Sequence, residues 1–336
     1  MKFSATSLLS LSILLISFSV LSADEKSVAD RPGIRVIGED DKGEPTITAY
    51  ALSPDGKTLV VSSEDGLIQL LDVATLSVKK KIQDHRDWIA GLAFSPDGKY
   101  LASHNEGENH LKVRDLATGK VVEQYDTQES FSIQRMLFTK DGSKLIASDF
   151  DGYVYVWDRK TSELLWKKED YVESLTMTPD EKYLAVGKNT LRYLDLNTGE
   201  QTKELEDFQG SLVDLSFIPQ KTLLVAADSS CRGSKLHVWD MQGFGESVGV
   251  IDLGRGTSHF SDVVTSPDGR FFVSSDEEGT LRIFDTESRT QLNELPRLQR
   301  KGFKHLEMTP DGKTLIAGSR DERSRVYLID LTKVFE

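Results

Sequence analysis

The 336-residue chain holds one cysteine, Cys231, so no disulfide can form within it. It contains no Asn-x-Ser/Thr acceptor for N-glycosylation. Basic residues are scarce as well: 41 Lys and Arg face 54 Asp and Glu, for a net charge of −13. No Lys/Arg stripe offsets that balance, and a surface of this sign repels phosphate backbones and anionic bilayers. Nucleic acid and anionic membrane are therefore not expected as partners. Only one long apolar run occurs, Leu8 to Val20, preceded by Lys2 and followed by Leu21-Ser22-Ala23. That order of positive end, short apolar core and small-residue exit is a secretory signal peptide. Its core falls short of the roughly 20 residues a spanning helix needs. Residues 1–23 are accordingly expected to be a leader and residues 24–32 a polar linker. The processed protein is expected to be periplasmic or secreted, with no stable membrane insertion; the missing cysteines and acceptors lean towards a bacterial source.

Catalytic signatures are missing too. The string at Gly243 to Gly249 does not match the dinucleotide-binding glycine spacing, and no Gly-x-Ser-x-Gly elbow exists. One cysteine cannot make a haem-attachment motif. No cofactor is expected.

What the chain has in abundance is one short polar string. "SPDGK" stands at Ser53 and again at Ser95, "SPDGR" at Ser266 and "TPDGK" at Thr309. With related strings anchored at Thr139, Thr178 and Ile218, the copies recur every 39 to 48 residues. Six residues before the anchors the column reads Ile47, Ile89, Ile133, Val172, Leu212, Phe260, Phe303. Three before, it reads Tyr50, Leu92, Met136, Leu175, Leu215, Val263, Leu306. Short, β-rich and bounded by a turn, these are seven strands. The anchor is turn chemistry: proline presets φ, aspartate bonds local backbone, and glycine takes a dihedral other residues resist. The fifth copy, "IPQK", has lost Asp and Gly yet keeps its place, which a turn tolerates and a catalytic loop would not. A third strand closes each unit on an aspartate: Asp72, Asp115, Asp158, Asp195, Asp240, Asp285 and Asp330. Seven acids spaced one per unit are dispersed as turn caps rather than gathered as ligands.

Four-stranded units of this length, with an SPDG-like turn and a closing apolar-Asp pair, resemble the blades of WD-repeat β-propellers. Trp-Asp itself stands at Trp157-Asp158 and Trp239-Asp240, and the family's Gly-His survives only as Asp84-His85. The family's hydrogen-bonded Asp-His-Ser/Thr-Trp network is thus incomplete, and apolar packing must supply blade rigidity. The fold class expected is all-β, a seven-bladed propeller over residues 33–336. The seventh unit stops after its third strand, while "GIRVIG" (Gly33 to Gly38) is a spare strand upstream of the first unit. Pairing the two gives twenty-eight strands and closes the ring without an exposed edge.

The resemblance implies that loops entering each first strand, and those joining second to third strands, share a binding rim. Trp88, Tyr171 and His259, seven residues before their anchors, with nearby Arg86 and Arg255, are the candidate partner-binding patch. Packing of each aromatic on its own blade is the plainer alternative, favoured for Phe131. Arg135, Asp214, Asp262 and His305 share the column four before the anchor, expected at the channel mouth. Asp214, Asp262 and His305 there are candidate metal ligands of a lactonase-like hydrolase; mutual salt bridges explain the column as well. "HNEGENH" (His104 to His110) is read as one solvated loop, since it lacks helical zinc-site spacing. Cys231 and the basic "RKGFKH" at Arg300 to His305 are read as ordinary loop residues. The leading expectation is a monomeric scaffold that binds proteins and performs no chemistry, with hydrolase and glycan- or small-ligand-binding readings as rivals.

Overall fold

In each SPDG-type turn the side chains close the loop the same way. Ser53 Oγ donates to Asp55 Oδ1 at 2.6 Å, Lys57 N donates to the same oxygen at 3.0 Å, and Thr58 N donates to Ser53 Oγ at 2.9 Å. The same bonds recur around Asp97, Asp141, Asp268 and Asp311. Gly56 takes φ 69°, and in the fifth copy Gln220 supplies a left-handed residue at φ 62°. That substitution keeps the turn without Asp or Gly. The closing aspartates act as caps: Asp195 Oδ1 accepts from the backbone N–H of Asn197 at 2.9 Å and of Thr198 at 3.0 Å. Asp72, Asp115, Asp158 and Asp285 bond their turns alike.

The computed structural model describes residues 31–38, 46–83, 85, 87–105, 108, 110–127, 133–170, 172–205, 208, 210–229, 234–242, 246–253, 258–295, 297–299, 301–320 and 325–335. Twenty-eight strands form seven antiparallel sheets of four, each a blade. The innermost strands are Ile47–Leu52, Ile89–Phe94, Ile133–Phe138, Ser174–Met177, Leu212–Phe217, Phe260–Thr265 and Phe303–Met308, for blades 1 to 7. Val172, expected to open the fourth, lies just outside it and is buried.

Blade 7 is completed by the N-terminal strand Ile34–Ile37, which pairs antiparallel with Val326–Asp330, Ile34 opposite Ile329 and Val36 opposite Tyr327. Asp330 N also donates to Gly33 O at 2.8 Å. Seven apolar clusters fill the structure, each centred between two neighbouring blades. Every blade thus buries both faces on its neighbours, at about 1.5–3 kcal/mol for each large apolar side chain removed from water.

Candidate functional site

The inner strands do more than line the hole. In six of the seven blades their pairing slips by one residue near the start, leaving Thr48, Ala90, Gln134, Val213, Ser261 and Lys304 unpaired in the ladder. A bulge of this kind re-aims the side chains around it. The column four before the anchor follows each bulge and converges inside the channel rather than at its mouth. Asp214 is 3% and Asp262 1% exposed, both enclosed by their neighbours.

Across the channel, Arg135 Nη2 of blade 3 donates to Asp214 Oδ1 of blade 5 at 2.6 Å. Ser174 Oγ of blade 4 donates to the same oxygen at 2.9 Å, and Val263 N of blade 6 to Oδ2 at 3.1 Å. Four blades therefore meet on one carboxylate. His305 of blade 7 lies 3.7 Å from Asp262 and 3.2 Å from Glu307, with Arg135 Nη1 3.3 Å from its ring. Glu307 accepts from Leu52 N of blade 1 at 2.7 Å. Tyr50 of blade 1 donates its hydroxyl to His305 O and accepts from Gly318 N at 3.0 Å. Gly318 has to be glycine: a Cβ there would come within 2.3 Å of the Tyr50 ring.

Burial works against the charge on Asp214, but the Arg135 cation holds its pKa below the usual carboxylate range. Burial and the Asp214 charge push Asp262 up to about 7. Burial alone would lower His305, yet Asp262 and Glu307 raise it to about 9. For a group whose folded pKa is raised, stability is present below the unfolded pKa and lost as pH climbs through the folded one. His305 thus stabilises below its ordinary 6.5 and loses that contribution by pH 9. In blade 2 the buried His85 and His104 are depressed to about 4 by burial, so their contribution is present above 6.5 and lost towards pH 4. The melting temperature is expected to fall on both sides of near-neutral pH, and His305→Gln to flatten the limb between pH 7 and 9. Thermal melts of both proteins from pH 5 to 9.5 check this; an unchanged alkaline limb would refute it.

The metal reading of Asp214, Asp262 and His305 meets a guanidinium already seated on Asp214. Among the described residues no three His, Cys, Asp or Glu are grouped to hold a metal ion. The salt-bridge alternative is the one the geometry displays. "HNEGENH" is not one solvated loop: His104 is buried at the end of strand Tyr100–Asn105 and His110 opens strand His110–Asp115. Glu108 between them pairs with His85 at 3.3 Å and with Lys112. Glu106 and Cys231 lie outside the described residues.

A cavity of about 970 Å³ runs along the channel past this network, from Pro54, Pro96 and Pro179 at the turn end to Phe150, Glu173, Lys304, Arg320 and Arg325 at the rim end. Trp88 stands at that rim, 37% exposed, with Lys304 Nζ 6.0 Å from its ring centroid. His259 is half-buried, and its carbonyl accepts from Glu277 N at 2.8 Å. Tyr171, Arg86, Arg255 and Phe131 lie outside the described residues. The most exposed large apolar side chain near the mouth is Phe150, 69% exposed, in the turn joining the second and third strands of blade 3.

The WD40 family model (WD domain, G-beta repeat) matches residues 38–72, 76–113, 119–158 and 251–285. These four stretches, somewhat less than half of the chain, match as WD40 repeats. Three of the four matched stretches, 76–113, 119–158 and 251–285, take in the outer strand of one blade and end in the next, so repeat and blade are offset by one strand. An uncharacterized WD repeat-containing protein of Synechocystis is 28% identical over 71% of this chain and 68% of its own length. The target of rapamycin complex subunit wat1 of Schizosaccharomyces pombe is 29% identical over 41% of this chain and 46% of its own length. The serine-threonine kinase receptor-associated protein of Gallus gallus is 27% identical over 60% and 56% respectively. The chain therefore spans about half the length of the latter two. Among the described residues no helix is long and apolar enough to cross a membrane.

In this seven-bladed propeller other pairs stand where the hydrogen-bonded network of WD-repeat blades was expected to be incomplete. His85 Nε2 keeps a 3.0 Å bond to Ser103 Oγ, while Tyr155 bonds Asp149 at 2.7 Å and Arg282 bonds Asp276 at 2.6 Å. Sequence reasoning missed Tyr50, Glu307 and Phe150, although each is the odd residue in its column. Tyr50 stands among aliphatics, and Glu307 is the one charge two before the anchor. Eleven after the anchor the column reads Glu64, Glu106, Phe150, Asn189, Ser229, Glu277, Arg320, broken by one aromatic and one cation.

Proposed function

We propose that this WD40-repeat propeller is an exported, non-catalytic scaffold that holds a protein partner on the rim around its channel. The observation that carries this reading is the pair of aromatics, Phe150 and Trp88, left in water at the rim of a rigidly cross-braced ring. Exposed aromatics on a preorganised surface lose little side-chain entropy when a partner covers them, which makes them natural anchors. The names of two relatives, a complex subunit and a receptor-associated protein, agree with a role in assemblies. Tyr171, Arg86, His259 and Arg255 belong to the same proposed rim by their positions before the inner strands.

Export rests on residues 1–23; mass spectrometry of the processed protein should find an N-terminus at residue 23 or 24. Trp88→Ala with Phe150→Ala is expected to abolish capture of the native partner while leaving the melting temperature unchanged. Equal recovery of that partner by the double variant and the parent would remove this rim from the account.

A further inference from the structure

We infer that a pocket between blades 4 and 5, at the turn end of the ring, binds a small free molecule made of one aromatic ring with a hydrogen-bond acceptor attached. The pocket measures about 260 Å³ and lies beside the channel cavity, sharing Thr178, Pro179 and Phe217 with its wall. Blade 4 contributes Tyr183 and Tyr193 to the pocket, and blade 5 contributes Met241. Phe150 stands at the opposite end of the channel, so this ligand is separate from the partner proposed for the rim.

The hydroxyl of Tyr193 sets the polar requirement. Two residues before the closing aspartates the column reads Leu70, Val113, Val156, Tyr193, Val238, Ile283 and Leu328, aliphatic everywhere except at the tyrosine. Tyr193 is 1% exposed, and burial pushes its pKa up, so the hydroxyl keeps its proton. Among the described residues the acceptor for that proton is Met241 Sδ, at 3.2 Å. A thioether is a weak acceptor, and a buried donor held by a poor partner gains when a better one arrives. A carbonyl oxygen on the ligand is such a partner.

The rest of the wall sets the body of the ligand. Pro179, Tyr183, Phe217 and Met241 present apolar surface, and a methionine yields space readily while keeping its sulfur against an aromatic ring. An apolar cavity of about 150 Å³ holds benzene. A pocket of about 260 Å³ therefore has room for one ring and a short substituent. The polar groups at the mouth are already engaged. Asp180 accepts from Thr178 Oγ1 at 2.8 Å, Thr222 Oγ1 donates to Asp240 at 2.6 Å, and Lys221 pairs with Glu287 at 3.4 Å. A peptide would bring several backbone N–H and C=O groups to be paired, whereas a free neutral molecule with one acceptor matches the one poorly bonded donor.

The test titrates acetophenone and ethylbenzene, molecules of nearly one shape that differ in the carbonyl, into the full chain carrying labelled methionine methyls. NMR reads the Met241 methyl, assigned through Met241→Leu. Both compounds should shift it saturably, with acetophenone at least about fivefold tighter, the worth of one buried hydrogen bond. Tyr193→Phe should erase that preference by weakening acetophenone alone. The comparison of the two compounds on the parent protein decides the matter even if this variant fails to fold. No shift at Met241, equal affinity of the two compounds, or a preference kept by a folded Tyr193→Phe would each overturn the inference. So would shifts confined to Met136 and Met177, which line the channel cavity. Binding of a blocked Gly-Phe-Gly peptide as tight as that of acetophenone would assign the pocket to a protein segment and overturn the free-molecule reading.

Discussion

Asp214→Ala is expected to destabilise the ring by about 3–5 kcal/mol, the usual cost of removing one partner from a buried ion pair. The substitution strands the Arg135 guanidinium inside the channel. It also leaves the Ser174 hydroxyl and the Val263 N–H without their acceptor. Three donors from three blades lose their bond at once, so the effect exceeds that of an exposed pair such as Lys99–Asp97, where solvent takes over. The double variant Arg135→Met with Asp214→Leu should cost much less, because no uncompensated charge remains. Urea unfolding of Arg135→Met, Asp214→Leu and the double would measure the coupling. A loss below about 1 kcal/mol for Asp214→Ala would show that the channel network does not brace the blades.

Removing residues 1–38 should have the second large effect, loss of a single cooperative transition. Without Ile34–Ile37 the strand Val326–Asp330 becomes an open edge. Buried Tyr327 and Ile329 then lose the cover of the strand that includes Ile34. An unpaired apolar edge of this kind seeks another chain, so the truncated protein is expected to aggregate on heating. A synthetic peptide covering Gly33 to Gly38, added in excess, should restore part of the lost stability by occupying the vacancy. Scattering and circular dichroism melts decide the outcome. A truncated chain that melts at the parent temperature as a monomer would mean that closure through the N-terminal strand is dispensable.

Much of this architecture could be read from residue columns, for a physical reason. Strand and turn chemistry is local: Pro54, Asp55 and Gly56 fold their turn from bonds within five residues of Ser53. Repetition makes such local rules visible, because seven copies can be laid over one another and the constant positions separated from the variable ones. Asp72 and its six counterparts were legible as caps on that ground. The spare strand at Gly33 to Gly38 was legible because an incomplete last unit and an unused first strand complement each other.

The channel network was only half legible. Arg135, Asp214, Asp262 and His305 share a column, but nothing in one column says which members of a ring face each other. That Arg135 reaches blade 5, and that Glu307 and Tyr50 join from blades 7 and 1, follows from ring closure and from the inward turn at each bulge. At the rim, Trp88 was picked out by its position before the inner strand, whereas Phe150 and Arg320 stand in loops between second and third strands, which were read as part of the rim without any residue being singled out.

The order of residues alone determined the repeat, its turns, the strand count and the strand that closes the ring, because each depends on neighbours along the chain or on copies of one pattern. The tertiary structure decided which charges of the channel pair, how deep they lie and which side chains share the cavity mouth. Those depend on contacts between blades separated by tens to hundreds of residues, where packing geometry rather than local preference selects the partner.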